Sequence, residues 1–148
     1  MRNSVVLLFA CLGGFTFVQA QPAPDNTAKV HIYRQKLFMA VLKPSIYCDG
    51  TEIARTVNGR QLEVTVNQGK HFFYSSDKQT GAYIEAKPGE EYYIRVDMVP
   101  DFPKKALGRA VWMPNRQGAF EVKRLKWLDK DKIKLAHVES NSEESGTR

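Results

Sequence analysis

Outside its first twenty residues the chain carries one thiol, Cys48, and its three imidazoles are His31, His71 and His137. A cysteine nucleophile needs a base within reach and a third group to orient that base. Cys48 has no base beside it in sequence and would have to meet His31 or His71 across the fold. It directly precedes Asp49-Gly50 in a strand-like stretch, where a small buried thiol serves packing. The histidines show neither two residues on one helical turn nor neighbouring cysteine pairs, so a metal centre would have to be assembled from distant strands. No metal ligand and no cofactor is assigned on this pattern, and His31 and His71 read as polar residues of sheet faces. No Gly-x-Ser-x-Gly elbow is present. Ser45, Ser75 and Ser76 stand at strand ends or turns, where hydroxyls bond to nearby backbone. Glu90 and Glu91 are adjacent, so in an extended chain they point to opposite faces and make no acid-base pair. No catalytic residue is assigned, and the chain reads as non-catalytic.

Binding chemistry is better represented. Lys123, Arg124, Lys126, Lys130, Lys132 and Lys134 are opposed locally only by Asp129 and Asp131, with Trp127 among them. Tryptophan beside basic residues suits an anionic interface, so Lys123, Arg124, Lys126, Trp127 and Lys130 form the candidate binding surface. Tyr33, Tyr47, Tyr74, Tyr83, Tyr92, Tyr93, Trp112 and Trp127 offer two further readings. They fill a core and its rim, or an exposed row of rings stacks on sugar faces as in a carbohydrate-binding module.

The compartment narrows the partners. Arg2, the apolar residues from Val5 to Val18 and the small-residue exit Val18-Gln19-Ala20 have the layout of a signal peptide over residues 1–20. Cleavage there predicts an exported, periplasmic or secreted protein starting at Gln21, with 21 basic residues facing 16 acidic ones. Leu8-Phe9-Ala10-Cys11 also loosely resembles a lipobox, and lipidation at Cys11 would make an outer-membrane lipoprotein. No segment has the roughly 20 continuous apolar residues that a spanning helix needs, so membrane contact would be peripheral or through that lipid. An exported basic protein is kept from nucleic acid and meets acidic polymers, carbohydrate or other envelope proteins.

These side chains need elements to position them. Residues 21–28, with Pro22 and Pro24, read as a flexible arm. Alternation of Val30 and Ile32 with polar neighbours starts a domain over residues 29–135. Ser45–Cys48 and Thr51–Thr56 flank Asp49-Gly50, a strong hairpin signal. Leu62, Val64 and Val66 alternate, Asn67-Gln68-Gly69 turns, and Lys70–Ser76 with Phe72, Phe73 and Tyr74 predicts a central strand. Gly81–Ala86, a type II turn at Pro88-Gly89, and a strand over Tyr92–Met98 follow. Gly108–Met113 and Ala119–Trp127 are expected to be strands, the second with a slip between Val122 and Leu125, and Asp129–Lys134 one helical turn. Leu37–Leu42 is apolar and undecided between buried strand and short helix; exposed, it would be an interface candidate. Residues 136–148 are polar and read as a disordered tail. Turn signals every eight to twelve residues predict an all-β fold, a small antiparallel sandwich of about seven to nine strands.

Tyr33-Arg34, Tyr47-Cys48-Asp49-Gly50, Gly69-Lys70-His71 and Pro88-Gly89-Glu90-Glu91-Tyr92-Tyr93-Ile94-Arg95 resemble the bacterial envelope proteins grouped as domain of unknown function twenty-eight forty-six. The resemblance covers most of residues 29–113. It implies an exported or lipidated protein of this architecture and brings no catalytic residue with it. The function expected is that of a binding or structural accessory module of the cell envelope. Alternatives are a carbohydrate-binding module and, further off, a small hydrolase using Cys48 or a serine.

Overall fold

The computed structural model describes residues 26–37, 41–100 and 107–139. The leader, Cys11, residues 21–25 of the arm, Phe38-Met39-Ala40, residues 101–106 and the tail beyond residue 139 lie outside the described residues. Among the described residues no helix is long and apolar enough to cross a membrane.

Two sheets face each other across one core. The first contains β1 (Thr27–Tyr33), β4 (Arg60–Asn67), β7 (Glu91–Val99), β8 (Leu107–Met113) and β10 (His137–Val138) in the order β10-β4-β1-β7-β8, with β9 (Lys126–Trp127) also on β4. The second has the order β3-β2-β5-β6, from β2 (Ser45–Cys48), β3 (Thr51–Arg55), β5 (Gly69–Tyr74) and β6 (Gly81–Ala86). The all-β sandwich is as expected; among the described residues it has ten strands where about seven to nine were expected, eight of four residues or more and two of only two. Most neighbours are antiparallel, but β1 lies parallel to β7 in the middle of its sheet.

Period-two alternation supplies the core. Val30 and Ile32 of β1 and Leu62, Val64 and Val66 of β4 meet Ile46, Ile53, Phe73 and Ile84 of the other sheet, all nearly inaccessible. Burying such a side chain contributes roughly 1.5 to 3 kcal/mol each. The turns behave as their residues dictate. Asp49 and Gly50 both have positive φ, 49° and 90°, as a two-residue hairpin of this kind requires. Gly69 has φ 135° between β4 and β5, and Gly89 has φ 76° with Glu90 N–H donating to the Lys87 carbonyl, a type II turn.

Three boundaries differ from the sequence reading. The arm was expected to end at residue 28, but β1 starts at Thr27 and Ala28 is buried. Disorder was expected from residue 136, yet β10 pairs parallel with β4 and Val138 is buried against the core, so one apolar residue anchors an otherwise polar segment. The largest correction concerns Ala119–Trp127, which is not one strand. Residues Asn115–Val122 form a helix, α1, and only Lys126–Trp127 pairs with β4. The expected slip between Val122 and Leu125 is the place where this helix ends. One 3-10 turn at Lys130–Lys132 matches the expected helical turn.

Helix α1 covers the outer face of the first sheet. Val122 packs with Tyr33, Tyr93 and Met113 in a second, smaller core. Gly118 lets the helix backbone rest on Tyr93, since a Cβ there would lie 2.3 Å from that ring's Cβ and Cγ. Gln61 Nε2 donates to the carbonyls of Val122 (2.9 Å) and Leu125 (3.0 Å), satisfying acceptors that a helix end otherwise leaves open.

Candidate functional site

The first candidate lies on and after α1. The exposed side of the helix presents Arg116, Gln117 and Phe120, followed by Lys123 and Arg124 where it ends. Basic residues are favoured there because the helix dipole is negative at that end. Phe120 is 59% exposed, and the Arg124 guanidinium sits 5.0 Å over its ring. Pro114, Arg116, Gln117, Ala119, Phe120 and Lys123 line an open groove of about 740 Å³. Lys126, Trp127 and Lys130 follow and are also exposed, Trp127 by 56%. All five residues singled out in the sequence are thus on the surface, and Arg116 and Phe120, hidden from strand-based reasoning, join them.

What lies under this face is fixed. Glu121 accepts from Tyr33 Oη at 2.7 Å and pairs with Arg95, which also forms a bidentate contact with Asp97. Burial alone would raise the Glu121 carboxyl, but hydrogen bonds from Gln117 and Tyr33 and the nearby Arg95 charge bring it below the ordinary glutamate range. Burial and the same carboxylate push the Tyr33 phenol well above its usual value. These contacts tie α1 to its sheet beneath the exposed side.

The second candidate is the thiol with its neighbours. Pairing of Tyr47 with Tyr74 and of Cys48 with Phe73 brings the β2–β3 hairpin beside β5. Cys48 Sγ then lies 4.0 Å from His71 Nδ1 and 3.5 Å from Asp49 Oδ2, while His71 Nδ1 and Asp49 Oδ2 are 2.7 Å apart. His71 Nε2 donates to the Asn67 carbonyl at 2.8 Å, and Phe72 N–H donates to Asp49 Oδ1 at 2.8 Å. His71 is buried rather than on an open sheet face, which corrects its expected role; Cys48 is fully buried, as expected. The missing signal was strand order. Each hairpin was readable, but the pairing of β2 with β5 was not.

This trio does not have the order of a hydrolytic triad. The base should stand between nucleophile and orienting carboxylate, whereas here the Asp49 carboxylate contacts both sulfur and imidazole, and both ring nitrogens face acceptor oxygens. Burial, and after it the Asp49 charge, push the Cys48 thiol far above its usual value, the opposite of nucleophile activation. Ser45 Oγ donates to Glu52, and Ser75 Oγ to the Ser45 carbonyl; neither contacts an imidazole. His31 lies on the outer face of the first sheet, stacked on Tyr93 at 4.8 Å, with Glu63 and Glu91 at 3.8 and 3.6 Å.

The aromatic residues divide. Tyr33, Tyr74 and Tyr93 are buried, Tyr47 and Tyr92 partly so, and Tyr83, Trp112 and Trp127 exposed. Tyr47, Tyr74, Phe72 and Tyr83 form a continuous row on the outer face of the second sheet, with centroids 5.1, 5.5 and 4.3 Å apart. At these spacings the rings stack on one another, so the inner ones present edges where a sugar platform needs free faces. Leu37 and Val41, at the ends of the apolar run, are 57% and 89% exposed.

The chain matches no protein-family model, no curated protein and no solved structure.

Proposed function

We propose that this protein is an exported, non-catalytic accessory module of the cell envelope that binds an anionic partner through the exposed side of α1 and the β9 segment. The observation that carries the reading is the grouping of Arg116, Lys123, Arg124, Lys126 and Lys130 with exposed Phe120 and Trp127, with no acidic partner for these five cations among the described residues. Export rests on the leader-like residues 1–20, and the envelope assignment also on the resemblance noted above. A sugar ligand would have to use the outer face of Tyr83 or the separate Trp112 and Trp127.

Co-sedimentation with isolated envelope fractions tests the proposal. Basic residues near an anionic surface contribute about 1 kcal/mol each, so changing Lys123, Arg124 and Lys126 together to Ser should weaken binding about a hundredfold. Raising salt should weaken wild-type binding as well, because screening acts over about 8 Å at physiological ionic strength. Binding that survives both changes refutes the assignment of this face, and turnover of an envelope substrate by the purified protein refutes the non-catalytic reading.

A further inference from the structure

Cys48, Asp49 and His71 place one sulfur, one carboxylate oxygen and one imidazole nitrogen within 4.8 Å of one another. They come from two separate hairpins, each contributing only part of the set. The Nε2–H bond to Asn67 fixes the ring and leaves Nδ1 directed at Asp49 Oδ2, 2.7 Å away. Two lone-pair atoms that close need a positive centre between them, either a proton on Nδ1 or a cation. A metal-binding histidine is characteristically held by a hydrogen bond from its other nitrogen to a carbonyl or carboxylate, and His71 has that bond.

The distances can be compared with a tetrahedral centre. Ordinary zinc bond lengths would separate sulfur from oxygen by about 3.5 Å, sulfur from nitrogen by about 3.6 Å and nitrogen from oxygen by about 3.3 Å. The observed values are 3.5, 4.0 and 2.7 Å, so small side-chain rotations bring the three donors to a common centre. Phe72 N–H holds the other Asp49 oxygen, which orients the carboxylate. Asp49 and Cys48 also form part of the wall of a cavity of about 300 Å³ shared with Thr51, Leu135, His137 and Glu139. That cavity borders Cys48 and Asp49 and leaves room beside them for a fourth ligand.

We propose that Cys48 Sγ, Asp49 Oδ2 and His71 Nδ1 form a binding site for a zinc-class divalent cation, with its fourth position open to the cavity beside His137 and Glu139. A thiolate and an imidazole suit zinc or cobalt(II) and are poor ligands for calcium or magnesium, which take oxygen. On binding, the Cys48 thiol proton and the proton between His71 and Asp49 are released to solvent, and metal bonds to sulfur, nitrogen and oxygen take their place. The S–H bond and the bond to the shared proton break, and no bond between heavy atoms of the chain does.

Cobalt(II) added to the purified, metal-stripped protein is the probe, followed by its visible and near-ultraviolet absorption and by zinc competition. One equivalent should produce a sulfur-to-metal charge-transfer band together with the ligand-field intensity of a tetrahedral centre, and zinc should abolish both. Cys48→Ser should remove the charge-transfer band, and Asp49→Asn and His71→Gln should weaken binding at least tenfold. Asn accepts the positive φ of the hairpin, so Asp49→Asn keeps the turn and separates loss of a ligand from loss of the fold, with circular dichroism as the check. A wild-type titration without stoichiometric binding, or a charge-transfer band that persists in Cys48→Ser, overturns the proposal.

Discussion

The two outer sheet faces solve the same problem differently. On the first sheet, Tyr33, Tyr93 and Met113 are covered by α1, and the cover carries the charged groove. On the second sheet no helix among the described residues is laid over Tyr47, Tyr74, Phe72 and Tyr83; the rings cover one another instead, leaving Tyr74 buried and Tyr83 76% exposed at the end of the row. A helical cover hides the sheet and provides a new surface with its own charge. Self-stacking hides apolar area but uses up the ring faces that a ligand would need. The number of aromatic residues on a sheet therefore says little about recognition until it is known what each ring face touches.

Four substitutions probe the two faces. Gly118→Val should act most strongly, because its side chain would overlap Tyr93 next to the backbone rather than at a flexible tip. A loss of about 3 kcal/mol is expected in urea unfolding, at the upper end of ordinary overpacking, with α1 displaced from its sheet. Gly81→Ala is the counterpart on the bare face. A Cβ there would lie 2.4 Å from the Phe72 ring and 2.5 Å from the Phe73 carbonyl, so about 2 kcal/mol should be lost and the ring row disturbed, with α1 still in place by circular dichroism. Stability unchanged in either variant would deny that close approach its role.

Glu121→Gln should cost about 1.5 kcal/mol at neutral pH, the lower end for a hydrogen bond to a charged group because this one is only partly buried. Because the folded protein holds this carboxyl below its ordinary value, its contribution is present above the ordinary glutamate range and is lost as pH falls through the folded-state value. Melting temperature measured from pH 7 downward should fall more steeply for the wild type than for the glutamine variant, and parallel curves would contradict the role given to Glu121. Tyr83→Ser should have the smallest effect, below about 1 kcal/mol for one exposed stacked pair. It should leave envelope binding unaltered; loss of that binding would move recognition to the bare face.

The same contrast explains which features could be read from sequence. Val30 with Ile32, Leu62 to Val66 and Tyr92 to Met98 announced strands because period two is required when one side of a strand meets the core. Asp49-Gly50 and Pro88-Gly89 announced their turns because few residues accept those angles. Helix α1 was hidden. It has Gly118 at its centre, a proline in place of a side-chain cap and only Gly118 and Val122 buried, so intrinsic preference is weak and contact with Tyr93 decides the conformation. Val138 was hidden as well, since one buried apolar residue leaves no periodicity to detect. The basic residues were legible as a group, whereas Arg116 and Phe120 joined them only once the segment was known to be helical. The approach of Cys48 and Asp49 to His71 was invisible because it depends on which strands become neighbours, information that a single hairpin does not contain.

The parallel pairing of β1 with β7 has a consequence for how the chain acquires its fold. β1 is the first strand among the described residues, yet both of its partners come later: β4 begins at Arg60 and β7 at Glu91. A chain emerging from its N-terminus therefore carries this strand with one unsatisfied edge until Glu91–Arg95 have appeared and found their register. Contacts so distant in sequence must overcome loop-closure entropy before they return any stabilisation, which places folding of such topologies in the millisecond-to-second range. During that interval Val30 and Ile32 lie on a strand open to pairing with another molecule. Shielding that open edge until β7 pairs with it is therefore a requirement distinct from the stability of the finished sandwich.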